Sequence, residues 1–420
     1  MRFLIRARKQ ETSKEFFPTS AYAYVNIEEA DVIYLDNAAT GFPKPRSVIE
    51  EQTRCMRFYC GNAGRGSHAL SLAASKKIFE CRTEAAGLFG SDSPENVVFT
   101  MNTTMALNTV IKGNLRQGDH VLLSDMEHNA VLRPIIKLAR AGIISYDIFP
   151  TFALDRFRED AQICRTIERL IKPKTKMLIA SHTSNVCSAA LPLEEIGKLC
   201  RSRGILFVVD AAQSAGHLPI DVERMKIDAL CVPGHKGLLG PQGCGILLLG
   251  DAAIGETLIE GGSGYHSLEE TMPEELPERF EAGTLPTPAI AGLCEGIREV
   301  KRMGVDAIGA HERRLIAQLY ERFADDSRIT VYAPHHAGAV LLFNVNDMPA
   351  EQVGNLLDRR GICVRAGYHC SALGHRTLKT SQGGAVRVSV GYANTSAHID
   401  QLAKAIAEIC DGRMQDSRLE

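Results

Sequence analysis

The chain has 420 residues, of which 45% are apolar and 23% charged, and its formal net charge is −2. That balance belongs to a soluble globular protein with room for one large core and a smaller second one. It excludes the concentrated basic face that nucleic acid requires, and no apolar run approaches the length of a membrane span.

Residues 1–32 begin MRFLIRARKQETSKEFF, which carries basic residues but no apolar stretch before a small-residue cleavage site. They read as an N-terminal arm on a cytoplasmic protein. From residue 96 the pattern alternates. NVVFT predicts a strand and TTMALNTVIKG a helix, HVLLS a strand and AVLRPIIKLARAG a helix, KMLIASH a strand and PLEEIGKLCRSRG a helix closing on glycine. ILFVVD, ALCVPG and GILLLG are three further strands. Short apolar runs between amphipathic helices predict an α/β fold with a mostly parallel, buried sheet. Such sheets bind ligands at the carboxyl ends of their strands.

Residues 261–288 are rich in Gly, Pro and Glu and read as a long functional loop. Beyond it, Leu315, Ile316, Leu319, Tyr320 and Phe323 share one helical face. GAVLLFNV, GICVRAG and AVRVSVG then predict strands, and Ile399, Leu402, Ile406 and Ile409 line a final helix. The expected organisation is an arm over 1–32, a large domain over 33–288, a smaller α+β domain over 289–412 and a tail over 413–420. The twelve cysteines are scattered without a CxxC pair, so no metal site is expected among them.

The residues that follow each strand carry the chemistry. Thr103 and Thr104 open a helix after NVVFT, where free amides and hydroxyls suit a phosphate. His128 follows HVLLS, Asn185 follows KMLIASH, Asp210 and Gln213 follow ILFVVD, and His235 and Lys236 follow ALCVPG. Singly, the threonines also read as a plain helix cap, and His128 as a structural histidine. Jointly they line one rim of one sheet. Pyridoxal 5′-phosphate explains the set. It needs a lysine amine for a Schiff base and a carboxylate to keep its ring nitrogen protonated. It also needs donors for its phosphate and phenolic oxygen, and a flat group against its ring. Lys236 and Asp210 supply the first two. Thr103, Thr104 and His235 suit the phosphate, Gln213 the phenolate and His128 the ring face. The Lys236 ammonium is expected to have a lowered pKa.

YLDNAAT (34–40), MEHNAV (126–131), SN (184–185), VDAAQ (209–213), GHK (234–236), FEAGT (280–284) and RAGYHC (365–370) together resemble the motifs of the class V aminotransferase family. Within it they are most similar to group II cysteine desulfurases and selenocysteine lyases, over about residues 33 to 410. The resemblance implies the fold type I architecture of pyridoxal-phosphate enzymes, with a seven-stranded large domain and a small C-terminal domain. It implies a homodimer in which Thr284 completes the partner's phosphate site. It also implies Lys236 as the Schiff-base lysine and Cys370 as the thiol that takes sulfur from L-cysteine (or selenium from L-selenocysteine) and passes it to an acceptor protein, as in iron–sulfur cluster assembly. Arg387 is implied to hold the substrate carboxylate, with Arg365 at the same mouth, Asn185 orienting carboxylate or phenolate, and His68 a further candidate for the substrate face. Arg365, His369 and His375 are expected to favour the Cys370 thiolate. The chain departs from the family in Pro233, which stands where serine is usual, and in TTMALN, which stands where TTEGIN is common. The rival readings are a class V lyase or epimerase that does not use Cys370, and a non-catalytic cofactor-binding scaffold.

Overall fold

The computed structural model describes residues 32–413, apart from Arg65 and Ala337. The expected arm and tail lie outside the described residues, save for Val32 and Arg413. A seven-stranded sheet dominates. Its spatial order is Val97–Thr100, Gly245–Leu249, Ala229–Pro233, Leu206–Asp210, Thr175–Ser181, His120–Ser124 and Ser145–Phe149. Gly245–Leu249 is antiparallel to both neighbours, and every other pairing is parallel.

The sheet is covered on both faces, which is why its strands read as continuous apolar runs. Alternate residues serve opposite faces. Leu122, Leu178, Val209 and Leu230 pack with the helices Ala69–Leu88, Asp160–Leu170, Leu193–Arg203 and Thr287–Met303. Val121, Leu123, Ile179 and Val208 pack with Thr103–Asn114 and Asn129–Arg140. The sequence reading passed over the edge strand Ser145–Phe149. Asp147 interrupts its apolar run there, and that carboxylate is met by Lys172 at 2.5 Å.

A second sheet is antiparallel, in the order Arg365–Gly367, Ala385–Ser389, Val340–Val345 and Ile329–Tyr332. The single strand expected over GICVRAG is two. Ile362–Cys363 pairs in parallel with Ile33–Tyr34, and Arg365–Gly367 joins the four-stranded sheet. Ile33 and Leu35 therefore pack into the C-terminal core with Leu341, Phe343, Val386 and Ile406. Conversely, Ile290, Leu293 and Ile297 pack into the core of the large sheet. Core membership thus crosses the expected boundary at 288 in both directions. The first strand ties the start of the described chain to the segment that carries Arg365 and Cys370.

Candidate active site

Turns that follow five strands of the large sheet deliver their side chains to one cavity of about 190 Å3. Its lining includes Thr103, Thr104, His128, Asn185, Asp210, Gln213, His235 and Lys236, the eight residues expected at the strand ends. Asn102, Ala130, Ser181, Thr183, Ala212 and Pro233 complete it. The N-terminal loop closes over the lysine turn, where Gly41 donates its amide to the His235 carbonyl at 2.9 Å. A Cβ on Gly41 would lie 2.8 Å from the Lys236 carbonyl oxygen, so the approach requires glycine.

Lys236 makes no ion pair within the described residues. Removal from water lowers its pKa from 10.5 to about 8. Asp210 and Asp36 pull the value up, while Arg387 and Arg365 push it down. A substantial fraction of the amine is therefore unprotonated near neutral pH, the state a nucleophilic lysine needs. Asp210 is 4% exposed, and its side chain accepts one hydrogen bond, from the Ala212 amide at 2.9 Å. Burial raises its pKa. A carboxylate so placed calls for a cationic or proton-bearing partner from the cavity.

The cap of the helix Thr103–Asn114 is Asn102, whose Oδ1 accepts from the Met105 amide at 2.9 Å. Both threonine hydroxyls are thereby spared that duty, and the buried Thr103 and Thr183 hydroxyls have no hydrogen-bond partner. Orphaned polar atoms beside a helix N-terminus fit a phosphate. His128 caps the helix Asn129–Arg140, its Nδ1 accepting from the Ala130 amide at 3.0 Å. Burial, then Lys236, Arg133 and Arg387, lower its pKa to about 4, so the ring is neutral and carries its proton on Nε2. The amide of Gln213 donates to Ala38 O at 2.9 Å. His235 shares its Nδ1 with the Thr40 hydroxyl at 3.1 Å. The donor set as a whole fits pyridoxal phosphate, with an amine, a buried carboxylate, a neutral flat ring and unclaimed hydroxyls on one cavity.

Two residues missed in the sequence reading organise this site. Glu127 is fully buried, accepting from the Ser181 amide and Ser181 hydroxyl, both at 2.8 Å, and from Ser124. Burial raises its pKa to about 7, and Asp210 adds to the rise. It locks Ser181, which pairs in register with Asp210 on the neighbouring strand. Asp36 accepts from Arg387 Nη2 at 2.8 Å and from Arg365 Nε at 3.0 Å. The two expected substrate arginines are thus already engaged by an internal carboxylate.

Cys370 is exposed and does not line the cavity. Its loop is moored to residues that do, or that adjoin them. Asn185 Nδ2 donates to the His369 carbonyl at 2.8 Å, and the Asn129 amide donates to the Cys370 carbonyl at 2.8 Å. His369 and Cys370 both have positive φ, 51° and 52°. The expected help from the histidines is corrected. His369 and His375 stack with centroids 5.2 Å apart and share a hydrogen bond of 3.0 Å. Burial lowers both, His369 to about 3, so neither is a cation. Of the three expected charges, only Arg365 is positive beside the thiol.

His68 is also placed elsewhere than expected. It is exposed, lines no part of this cavity, and caps the helix Ala69–Leu88 with its Nδ1 accepting from the Ser71 amide at 3.3 Å. Thr284 is exposed and stands outside the chain's own cavity. It follows Glu281, whose buried carboxylate is held by Arg82 and by the Phe99 amide at 2.6 Å. None of the described helices is long and apolar enough to cross a membrane.

The chain is similar to known proteins over most of its length. The family model described as Aminotransferase class-V matches residues 33–402. A probable cysteine desulfurase of Methanothermobacter thermautotrophicus is 35% identical over 388 residues, spanning 90% of this chain and 95% of the relative. A cysteine desulfurase of Salmonella agona is 33% identical over 387 residues, spanning 90% and 93%. Among solved structures, the apo cysteine desulfurase of Thermococcus onnurineus superposes with a TM-score of 0.81 at 31% identity, covering 91% of this chain and 95% of that one.

Proposed function

The chain belongs to the class V aminotransferase family, and on that premise we propose that it is a cysteine desulfurase. It converts L-cysteine to L-alanine and holds the sulfur as a persulfide on Cys370 for an acceptor protein. The observation that carries the reading is Lys236, its amine lowered to about 8, sharing one cavity with the buried carboxylate of Asp210.

Pyridoxal phosphate, when bound, supplies the electron sink for the carbon that bears the substrate's amino group. The chain's own groups do the rest. Lys236 Nζ is the covalent anchor and, once released, the base that takes the α-proton. Asp210 would keep the proton on the cofactor's ring nitrogen. Neutral His128 would face the ring and would relay protons from its Nε2. Thr103 and Thr104 would hold the phosphate with His235, and Gln213 would hold the phenolic oxygen. Arg387, with Arg365 and Asn185, receives the α-carboxylate. Cys370 Sγ attacks the substrate sulfur; a sulfur–sulfur bond forms as the substrate's carbon–sulfur bond breaks, and the electron pair stays on the carbon that becomes alanine's methyl group after protonation.

A homodimer completes the site. Two features support this: Thr284 is exposed and lies outside the chain's own cavity, and Ile49, Met56, Phe58, Leu70, Leu72 and Phe79 expose apolar surface on the helices Arg46–Phe58 and Ala69–Leu88. The twelve cysteines are all free, which supports a reducing compartment, the cytoplasm. The test is purification with pyridoxal phosphate, followed by alanine and sulfide release from L-cysteine and selenide release from L-selenocysteine. Cys370→Ala is expected to stop sulfur capture while the yellow cofactor remains. Undiminished desulfuration by that variant overturns the persulfide route, and undiminished borohydride-trapped labelling of Lys236→Ala overturns the anchor.

A further inference from the structure

Arg365 and Arg387 lie directly opposite each other across an antiparallel strand pair. Like charges in that register repel. The counter-charge comes from a third segment. Asp36 follows the strand Ile33–Tyr34 and bridges to Ser389 of the same sheet. One carboxylate oxygen accepts from Arg387 Nη2 at 2.8 Å, the other from Arg365 Nε at 3.0 Å and Nη2 at 2.9 Å. Arg387 Nη1 donates to the carbonyl of Asn185, a residue of the cavity wall, at 3.1 Å. Arg387 Nε is sealed from solvent and has no partner, although the side chain is only 3% exposed. The Arg365 side chain is 50% exposed and is free to yield. Two guanidiniums and one carboxylate leave one net positive charge, beside an amine that senses all three.

We propose that Asp36 is a specificity-determining residue of the substrate-carboxylate site. It holds both arginines in register and limits their combined charge, so that the site takes an amino acid with one carboxylate and disfavours one with a second anionic group. The proposal deepens the reading above and rests on its amino-acid site. Because Arg387 Nε is sealed from solvent as the cluster stands, the half-exposed Arg365 has to swing aside first, and an α-carboxylate then meets the unpartnered Nε. A second anion meets Asp36 instead, without a remaining positive charge to offset it.

The test compares the holoenzyme with Asp36→Asn, Arg365→Gln and the double variant. Calorimetry gives dissociation constants for L-alanine, with one carboxylate, and L-aspartate, with two; kcat and KM for L-cysteine are measured separately. Asp36→Asn is expected to shift the aspartate-to-alanine affinity ratio by about tenfold towards aspartate, because the arginines' charge is no longer halved. Arg365→Gln, which cancels the net charge, is expected to move the ratio the other way. The double variant restores the original net charge and with it the original ratio. A purely structural role for Asp36 weakens both ligands alike and leaves the ratio unmoved, and that result overturns the proposal. Should Asp36→Asn fail to fold, an unmoved ratio in Arg365→Gln overturns it equally. The expected ratios without alanine or sulfide release from L-cysteine leave this inference standing and remove the desulfurase reading; desulfuration with unmoved ratios does the reverse.

Discussion

The lowered pKa of Lys236 has a direct chemical readout. Only the unprotonated amine reacts with an electrophile, so competitive acetylation by acetic anhydride, resolved peptide by peptide, reports its fraction. With a pKa of about 8 against the ordinary 10.5, the reactive fraction at pH 7 is about 300-fold larger than for an unshifted lysine. Acetylation of Lys236 in the cofactor-free protein is expected to rise about tenfold per pH unit and then level off near pH 8. The sign is further tested by Asp210→Asn. Asp210 is the largest charge favouring the ammonium, so its neutralisation moves the levelling point below that of the wild type. Reactivity that climbs past pH 10, or a shift upward in Asp210→Asn, refutes the claim that burial and the two arginines together outweigh the carboxylates at this amine.

Glu127 gives a stability signature of its own. Its pKa is raised from 4.5 to about 7, so the folded state binds the extra proton between those values, and stability is lost as pH rises through that window. Glu127→Gln is expected to flatten this slope, which amounts to roughly 3 kcal/mol, and chemical denaturation at pH 5 and pH 8 measures it. Arg82→Met leaves the buried Glu281 carboxylate unpaired and should destabilise by about 3–5 kcal/mol, read as a fall in the denaturation midpoint. His128→Asn keeps a side-chain cap on the helix Asn129–Arg140 but removes the ring; stability within about 1 kcal/mol of wild type with a large loss of kcat separates its two roles, whereas His128→Ala loses both.

The parts of the site that a reader of the sequence can find share a physical signature. Asp210 ends an apolar strand and Lys236 lies in the turn just after one, where a buried charge is costly unless something uses it, and strand ends of a parallel sheet converge by construction. Asp36 and Glu127 carry no such mark. Asp36 sits 329 residues from Arg365, and only the pairing of Ile33–Tyr34 with Ile362–Cys363 brings them together. Glu127 gains its role from Ser181, on a strand set beside it by the fold. His68, His369 and His375 show the converse limit. Sequence counts a histidine as a potential charge or contact, but a capping bond claims the first, and burial keeps the other two neutral. The strand Ser145–Phe149 escaped notice because an edge position tolerates alternation that a central strand does not.

The two moorings of the Cys370 loop grip main-chain carbonyls, those of His369 and Cys370, and leave the sulfur-bearing side chain out of the fastening. On the proposed reading, the thiol would change its chemical state during turnover without loosening either of these bonds. Sulfur held there would be collected at the protein surface, where Cys370 is exposed.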